Sequence, residues 1–172
     1  MSDITKVLLD DHARVKRLFL RTAQGTEDYE AALDVCDELV IHATIEEELV
    51  YPALREVNPH AADESEEEHE EVKELIAEIQ DLDPDDPALR SMVLQLKRAF
   101  MRHVEKEEEV VFPQIDQAFP DQLLEMGSQA FAMRQELLAE RQPRLDKMKS
   151  LTANTGWGAN RRRRSASGNM GF

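Results

Sequence analysis

The sequence predicts an all-α protein, a bundle of four long helices followed by a fifth, and three observations carry that prediction. Apolar residues recur at steps of three and four along most of the chain, the spacing that gives a helix one buried face. Strand-like alternation is absent from the pattern. The chain also repeats itself: His42-Ala-Thr-Ile-Glu46-Glu47-Glu48-Leu-Val50-Tyr51-Pro52 and His103-Val-Glu-Lys-Glu107-Glu108-Glu109-Val-Val111-Phe112-Pro113 match at six of eleven positions, 61 residues apart. A repeat of that length suits a helical hairpin used twice.

The first predicted helix, 3–23, carries the stripe Leu8, His12, Val15 and Phe19 and stops before Gly25 and Thr26. The second, 27–57, carries Val35, Leu39, His42, Glu46 and Leu49, and Asn58 with Pro59 separates it from an acidic run opening at Asp63. The third, 63–82, carries His69, Val72, Ile76 and Ile79, and Asp83-Pro84-Asp85-Asp86-Pro87 breaks the chain after it. The fourth, 87–118, carries Leu89, Val93, Leu96, Phe100, His103, Glu107 and Val110. Pro52 and Pro113 fall ten residues after the histidine of each repeat, where the missing N–H and the ring should kink or end the helix. A fifth amphipathic segment, 121–149, with Leu123, Leu124, Phe131, Leu137, Leu138 and Leu145, is expected to cover the bundle or form a dimer contact. From Ser150 the composition turns to Gly, Ser and Asn, with Arg161 to Arg164 in a row and no acidic residue, which reads as a flexible tail. The expected divisions are 1–118, 119–149 and 150–172.

At 172 residues and 41% apolar content the chain is one domain by size, able to bury a core. One cysteine, Cys36, excludes an internal disulfide. The start Met-Ser-Asp has no signal-peptide character and no apolar run approaches the ~20 residues of a membrane span, so the expected location is cytoplasmic. Residues 1–149 hold 17 basic and 36 acidic residues, a formal charge of −19, against +4 for the rest. A body so acidic repels nucleic acid, and a nucleic-acid role through the arginine run is not expected.

Chemistry is signalled by what sits on the apolar stripes. In each repeat a His and a Glu four residues later share one helix face, at His42 with Glu46 and at His103 with Glu107. His12 and His69 lie on two further stripes in similar surroundings, His12-Ala-Arg-Val15-Lys16-Arg-Leu18 and His69-Glu-Glu-Val72-Lys73-Glu-Leu75, identical at four of seven positions. The gaps from His12 to His42 and from His69 to His103 are 30 and 34 residues, both suited to a hairpin. Imidazoles and carboxylates facing a core cost several kcal/mol each unless compensated, and a metal held between helices compensates them. The other members of the Glu-rich runs read as solvated faces, and His60 as an exposed loop histidine. Imidazole and carboxylate without thiolate suit iron, manganese or zinc, and bundle interiors hold paired metals. If His12 and His42 serve one ion and His69 and His103 the other, Glu46 and Glu107 bridge them, leaving positions for solvent or substrate. Tyr51, replaced by Phe112 in the other copy, reads as an aromatic packed at a helix end, the alternative being a phenol near one end of the site as proton donor, ligand or radical quencher.

This pattern resembles the hemerythrin-like proteins of the HHE cation-binding family, over residues 1 to about 118. The resemblance implies an up-and-down four-helix bundle with a carboxylate-bridged centre of two non-haem irons and an oxo or hydroxo bridge. His12, His42, His69 and His103 would be terminal ligands and Glu46 and Glu107 the bridges. Oxygen-carrying hemerythrins have a further His one turn before the third-helix ligand, where this chain has Ser65. Such a site is less suited to oxygen carriage and more open to hydrogen peroxide, dioxygen or nitric oxide, with Glu66 as a conceivable substitute ligand. The implied function is catalase- or peroxidase-like removal of a small oxidant with an unknown reductant; the alternative is a non-enzymatic oxygen- or iron-binding or sensing module.

Overall fold

A computed structural model of the protein describes residues 2–22 and 29–154, with side-chain surroundings for 2–22 and 29–141. Helix α1 spans Ile4–Thr22, α2 Tyr29–Ile45, α3 Tyr51–Val57, α4 Pro59–Asp81, α5 Leu89–Lys106, α6 Phe112–Ala118 and α7 Leu123–Asn154. Short π-helical segments, Glu46–Val50 and Glu107–Val111, join α2 to α3 and α5 to α6, so four continuous rods form the expected up-and-down bundle. Among the described residues there is no strand and no helix long and apolar enough to cross a membrane. The Gly25–Thr26 break and the Arg161–Arg164 run lie outside the described residues.

Local chemistry sets most of the ends. Asp3 accepts the Lys6 N–H at 2.8 Å and opens α1, satisfying one of the donors a helix start leaves unpaired. Asn58 does the same for α4, accepting the Ala61 N–H at 3.1 Å. With Asn58 as cap, Pro59 is a favourable first residue, so α4 begins four residues earlier than the acidic run suggested. His60 is consequently helical, though exposed as expected and 3.6 Å from Glu64. Asp86 accepts the Ala88 N–H at 2.8 Å just before α5.

The predicted stripes Leu8, His12, Val15, Phe19 and His69, Val72, Ile76, Ile79 are buried throughout. Above the site, Phe19, Val35, Leu39, Ile76, Leu96 and Phe100 belong to one apolar cluster. Cys36 joins it as a free thiol that burial pushes up to about 12. Past the two glutamates the α-helical register fails in both copies. Val110 is 41% exposed and Val111 is buried, and Val50 rather than Leu49 is buried. Each π segment inserts one residue into the turn, which moves the inward position by one.

The first part of α7 lies against the start of α1. A Cβ on Gly127 would meet the Ser2 carbonyl oxygen at 2.1 Å, so only glycine allows this approach. Met126, Ala130 and Arg134 form the buried face, whereas Leu124 and Phe131 are 58% and 63% exposed. The apolar face expected of this helix is therefore rotated: the helix meets the bundle through small residues and one arginine. A compact body extends to Arg134, and the remainder of α7 from Gln135 is a separate unit.

Candidate metal centre

The bundle brings all six sequence-predicted residues together. His12, His42, Glu46 and Glu107 offer atoms within 4.8 Å of one another, and Glu46, His69 and His103 do likewise. None of the six is more than 2% exposed. Every imidazole turns Nε2 toward the carboxylates. Glu46 Oε2 lies 3.3 Å from His42 and from His69 and 3.7 Å from His103, while its Oε1 is 3.9 Å from His12. Glu107 Oε2 lies 3.2 Å from both His12 and His103. Each carboxylate thus spans both ends of the cluster, and the rings pair at centroid distances of 4.8 Å for His12 with His42 and 4.6 Å for His69 with His103.

Whether these residues fit a metal is answered by their unmet valences. His12 Nε2, His42 Nε2, Glu46 Oε1 and Glu107 Oε2 are fully buried with no hydrogen-bond partner among the described residues, despite their short mutual distances. Orphaned buried acceptors cost about 1–3 kcal/mol each, and four aimed at one space call for a cation. Protons take that place in the metal-free chain. Burial opposes charge on His103, but the Glu107 carboxylate holds it well above the usual histidine value. Burial works to raise Glu107, but the positive charge of His103, 3.2 Å away, keeps the carboxylate well below its usual range. His42 is the exception: burial pulls it down to about 4, leaving a neutral imidazole.

The outward nitrogens reveal a second set of residues that sequence reasoning missed. His12 Nδ1 donates to Glu108 at 3.0 Å, His69 Nδ1 to Glu47 at 2.8 Å and His103 Nδ1 to Glu68 at 2.9 Å. A carboxylate only accepts, so each bond puts a proton on Nδ1, and once the ring is neutral, as a metal requires, the Nε2 lone pair faces inward. Such partners orient a ligand and raise its basicity. Lys16 donates to Glu108 at 3.2 Å and Lys73 to Glu47 at 3.1 Å. These glutamates are therefore not free solvated faces, contrary to the sequence reading. The repeated His-x-x-Val-Lys motif was the available signal, since its lysine holds the carboxylate that holds its histidine.

Tyr51 also departs from expectation. Its hydroxyl, in a residue 1% exposed, lies 2.9 Å from His69 Nε2 and donates to Glu107 Oε1 at 3.2 Å. In an α-helix a residue five beyond Glu46 would point roughly 140° away from it. The π segment, closed by the Tyr51 N–H bonding to the Glu46 carbonyl, turns Tyr51 back to the site. The equivalent Phe112 stacks on His12 with a centroid distance of 5.5 Å. One end of the cluster is thus phenolic and the other apolar. Burial, then the charges of Glu107 and Glu46, push the Tyr51 phenol well above its usual value. Ser65, where a further histidine ligand was considered, is fully buried with an unpartnered hydroxyl. Glu66 does not substitute for it: it is half exposed and bound to Arg55 at 2.6 Å.

Comparison with known proteins agrees with this geometry. Residues 3–115 match the model of the hemerythrin HHE cation binding domain. A hemerythrin HHE cation binding domain-containing protein of known crystal structure from Mycobacterium kansasii shares the fold at TM-score 0.75 and 20% identity, over 85% of this chain and 93% of that one. A DNA nickase from Nostoc sp. is 27% identical over 143 residues, 81% of this chain and 41% of the relative. The chain thus spans about two fifths of that curated relative's length.

Proposed function

The chain belongs to the hemerythrin HHE cation-binding family, and from that premise we propose that it is a non-haem di-iron protein that disproportionates hydrogen peroxide, with dioxygen and nitric oxide as further small oxidants able to react. The observation that carries this reading is the convergence of four imidazole Nε2 atoms on two carboxylates that each reach both ends, with two of the nitrogens, on His12 and His42, and one oxygen of each carboxylate unpartnered among the described residues. His12 with His42 and His69 with His103 would each hold one iron, and Glu46 and Glu107 would join the pair. When bound, such a pair supplies two electrons and Lewis acidity toward a small oxygen ligand.

The chain's own residues set the conditions. Burial of all six ligands excludes bulky substrates. Phe112 closes the His12 end with an apolar ring, so a ligand that needs a proton meets one at the opposite end. Tyr51 Oη lies beside His69 and Glu107 and remains protonated at neutral pH, which suits a donor to a departing hydroxide. As a second peroxide is oxidised to dioxygen, one of its two protons returns to the Tyr51 oxygen and the other goes to the remaining hydroxide, while Glu107 holds the phenol in place by accepting its hydrogen bond. Two peroxides then give two waters and one dioxygen without an external reductant.

A second reading is a non-enzymatic module that binds or senses oxygen or iron, for which the cation-binding family and the buried His/Glu cluster are the support. DNA nicking is not proposed, because a body carrying −19 opposes a polyanion. Metal analysis combined with oxygen release on adding peroxide tests the proposal. Two irons per chain with sustained oxygen release are expected; iron without turnover leaves the binding module, and a chain that binds no metal ends both readings.

A further inference from the structure

The four imidazoles differ in what stands behind them. His12, His69 and His103 each have a carboxylate on Nδ1, whereas His42 Nδ1 has no hydrogen-bond partner among the described residues. The internal repeat identifies the missing group. Glu68 immediately precedes His69 and reaches across to His103 on the next rod; Asp11 immediately precedes His12 and so occupies the same register toward His42.

Asp11 is buried, at 3% exposure, but engaged elsewhere. Its Oδ1 is 3.1 Å from Arg14 and its Oδ2 accepts from Arg134 Nη1 at 3.2 Å. Arg134 is held in place by Glu38, to which its Nη2 donates. In the second repeat the cation on Glu68 is Lys106, at 3.3 Å on Oε1, which leaves Oε2 for His103. Asp11 is one methylene shorter than Glu68, and guanidinium groups occupy both of its oxygens.

We propose that Arg134, a positioning residue supplied by the helix added after the bundle, holds Asp11 away from His42 and makes the His12/His42 position the weaker and more readily emptied of two metal positions. The inference rests on the two-ion reading above. A histidine ligand without its carboxylate partner typically loses 10–100-fold in metal affinity, so the two positions differ by about that factor. On the Nδ1 side the repeats differ by the shorter Asp11, and Arg134 from α7 adds to that difference, so whatever displaces Arg134 narrows it.

The test loads the full-length protein anaerobically with two equivalents of iron(II) and follows release to an excess of a coloured chelator. Two phases of equal amplitude are expected, with rates about 10–100-fold apart. Asp11→Glu restores the reach of Glu68 and should slow the fast phase about tenfold or more, as should Arg134→Met, which frees Asp11 Oδ2 while Arg14 stays on Oδ1. Glu68→Ala should instead accelerate the slow phase. Should Arg134→Met fail to fold, Arg134→Lys decides, since it keeps a cation beside Glu38 but, like Lys106 on Glu68, leaves an oxygen of the carboxylate free. A single phase for two bound ions, or a fast phase unmoved by the Arg134 variant that folds, overturns the inference and leaves the di-iron reading standing. Absence of bound iron overturns both.

Discussion

Replacing Tyr51 with Phe removes one oxygen atom and no packing volume, so its consequences isolate the hydroxyl. The side chain is 1% exposed and its ring stays where it is, which eliminates the cavity contribution of larger truncations. One proton cannot serve His69 Nε2 at 2.9 Å and Glu107 Oε1 at 3.2 Å together, so one hydrogen bond to a charged partner is lost. That is worth about 1.5–3 kcal/mol, and both acceptors remain buried. The metal-free variant should therefore unfold in urea with a free energy about 2 kcal/mol below the parent. With iron bound the deficit should shrink, because the cation satisfies the same acceptors. Peroxide turnover should fall about 100-fold, the usual size of a general-acid contribution. A Tyr51→Phe protein with parental stability when metal-free and parental turnover when loaded would refute the role assigned to this phenol.

Three further outcomes follow from the same geometry. Glu47→Ala takes away the carboxylate on His69 Nδ1 and should weaken metal binding about 10–100-fold in a competition titration, while Glu105→Ala on the exposed surface serves as a control without effect. Gly127→Ala puts a methyl group 2.1 Å from the Ser2 carbonyl oxygen and should cost about 1–3 kcal/mol by overpacking, visible as a lowered thermal midpoint with the bundle's helical signal retained. Metal uptake should release protons in weakly buffered solution at neutral pH, since His103 is raised and the metal displaces its proton. By the same linkage the metal-free protein keeps the His103 contribution below the ordinary histidine value of 6.5 and loses it as pH rises through the raised value, so alkali should destabilise the metal-free form more than the loaded one.

The duplicated His-x-x-x-Glu motif and its two companion histidines were legible in the chain because they sit on regular 3.6-residue stripes, which a sequence displays directly. Four rods, their breaks at Asn58 and Asp83–Pro87, and the convergence of six polar residues on one interior all follow from that periodicity. Tyr51, Val50 and Val111 were not legible, because π-helical segments after Glu46 and Glu107 shift the register and no 3.6-residue count anticipates the shift. Glu47, Glu68 and Glu108 were also hidden: their partners lie 22 to 96 residues away, and each stands in a run of glutamates indistinguishable by type. The seating of α7 on Gly127 and Arg134 depends on contacts with Ser2, Asp11 and Glu38 that arise only once distant segments meet. Local sequence therefore determined which residues face inward, since that is a property of one helix. Tertiary structure decided which of them touch, because hydrogen bonds between rods depend on register and rotation that no single helix encodes.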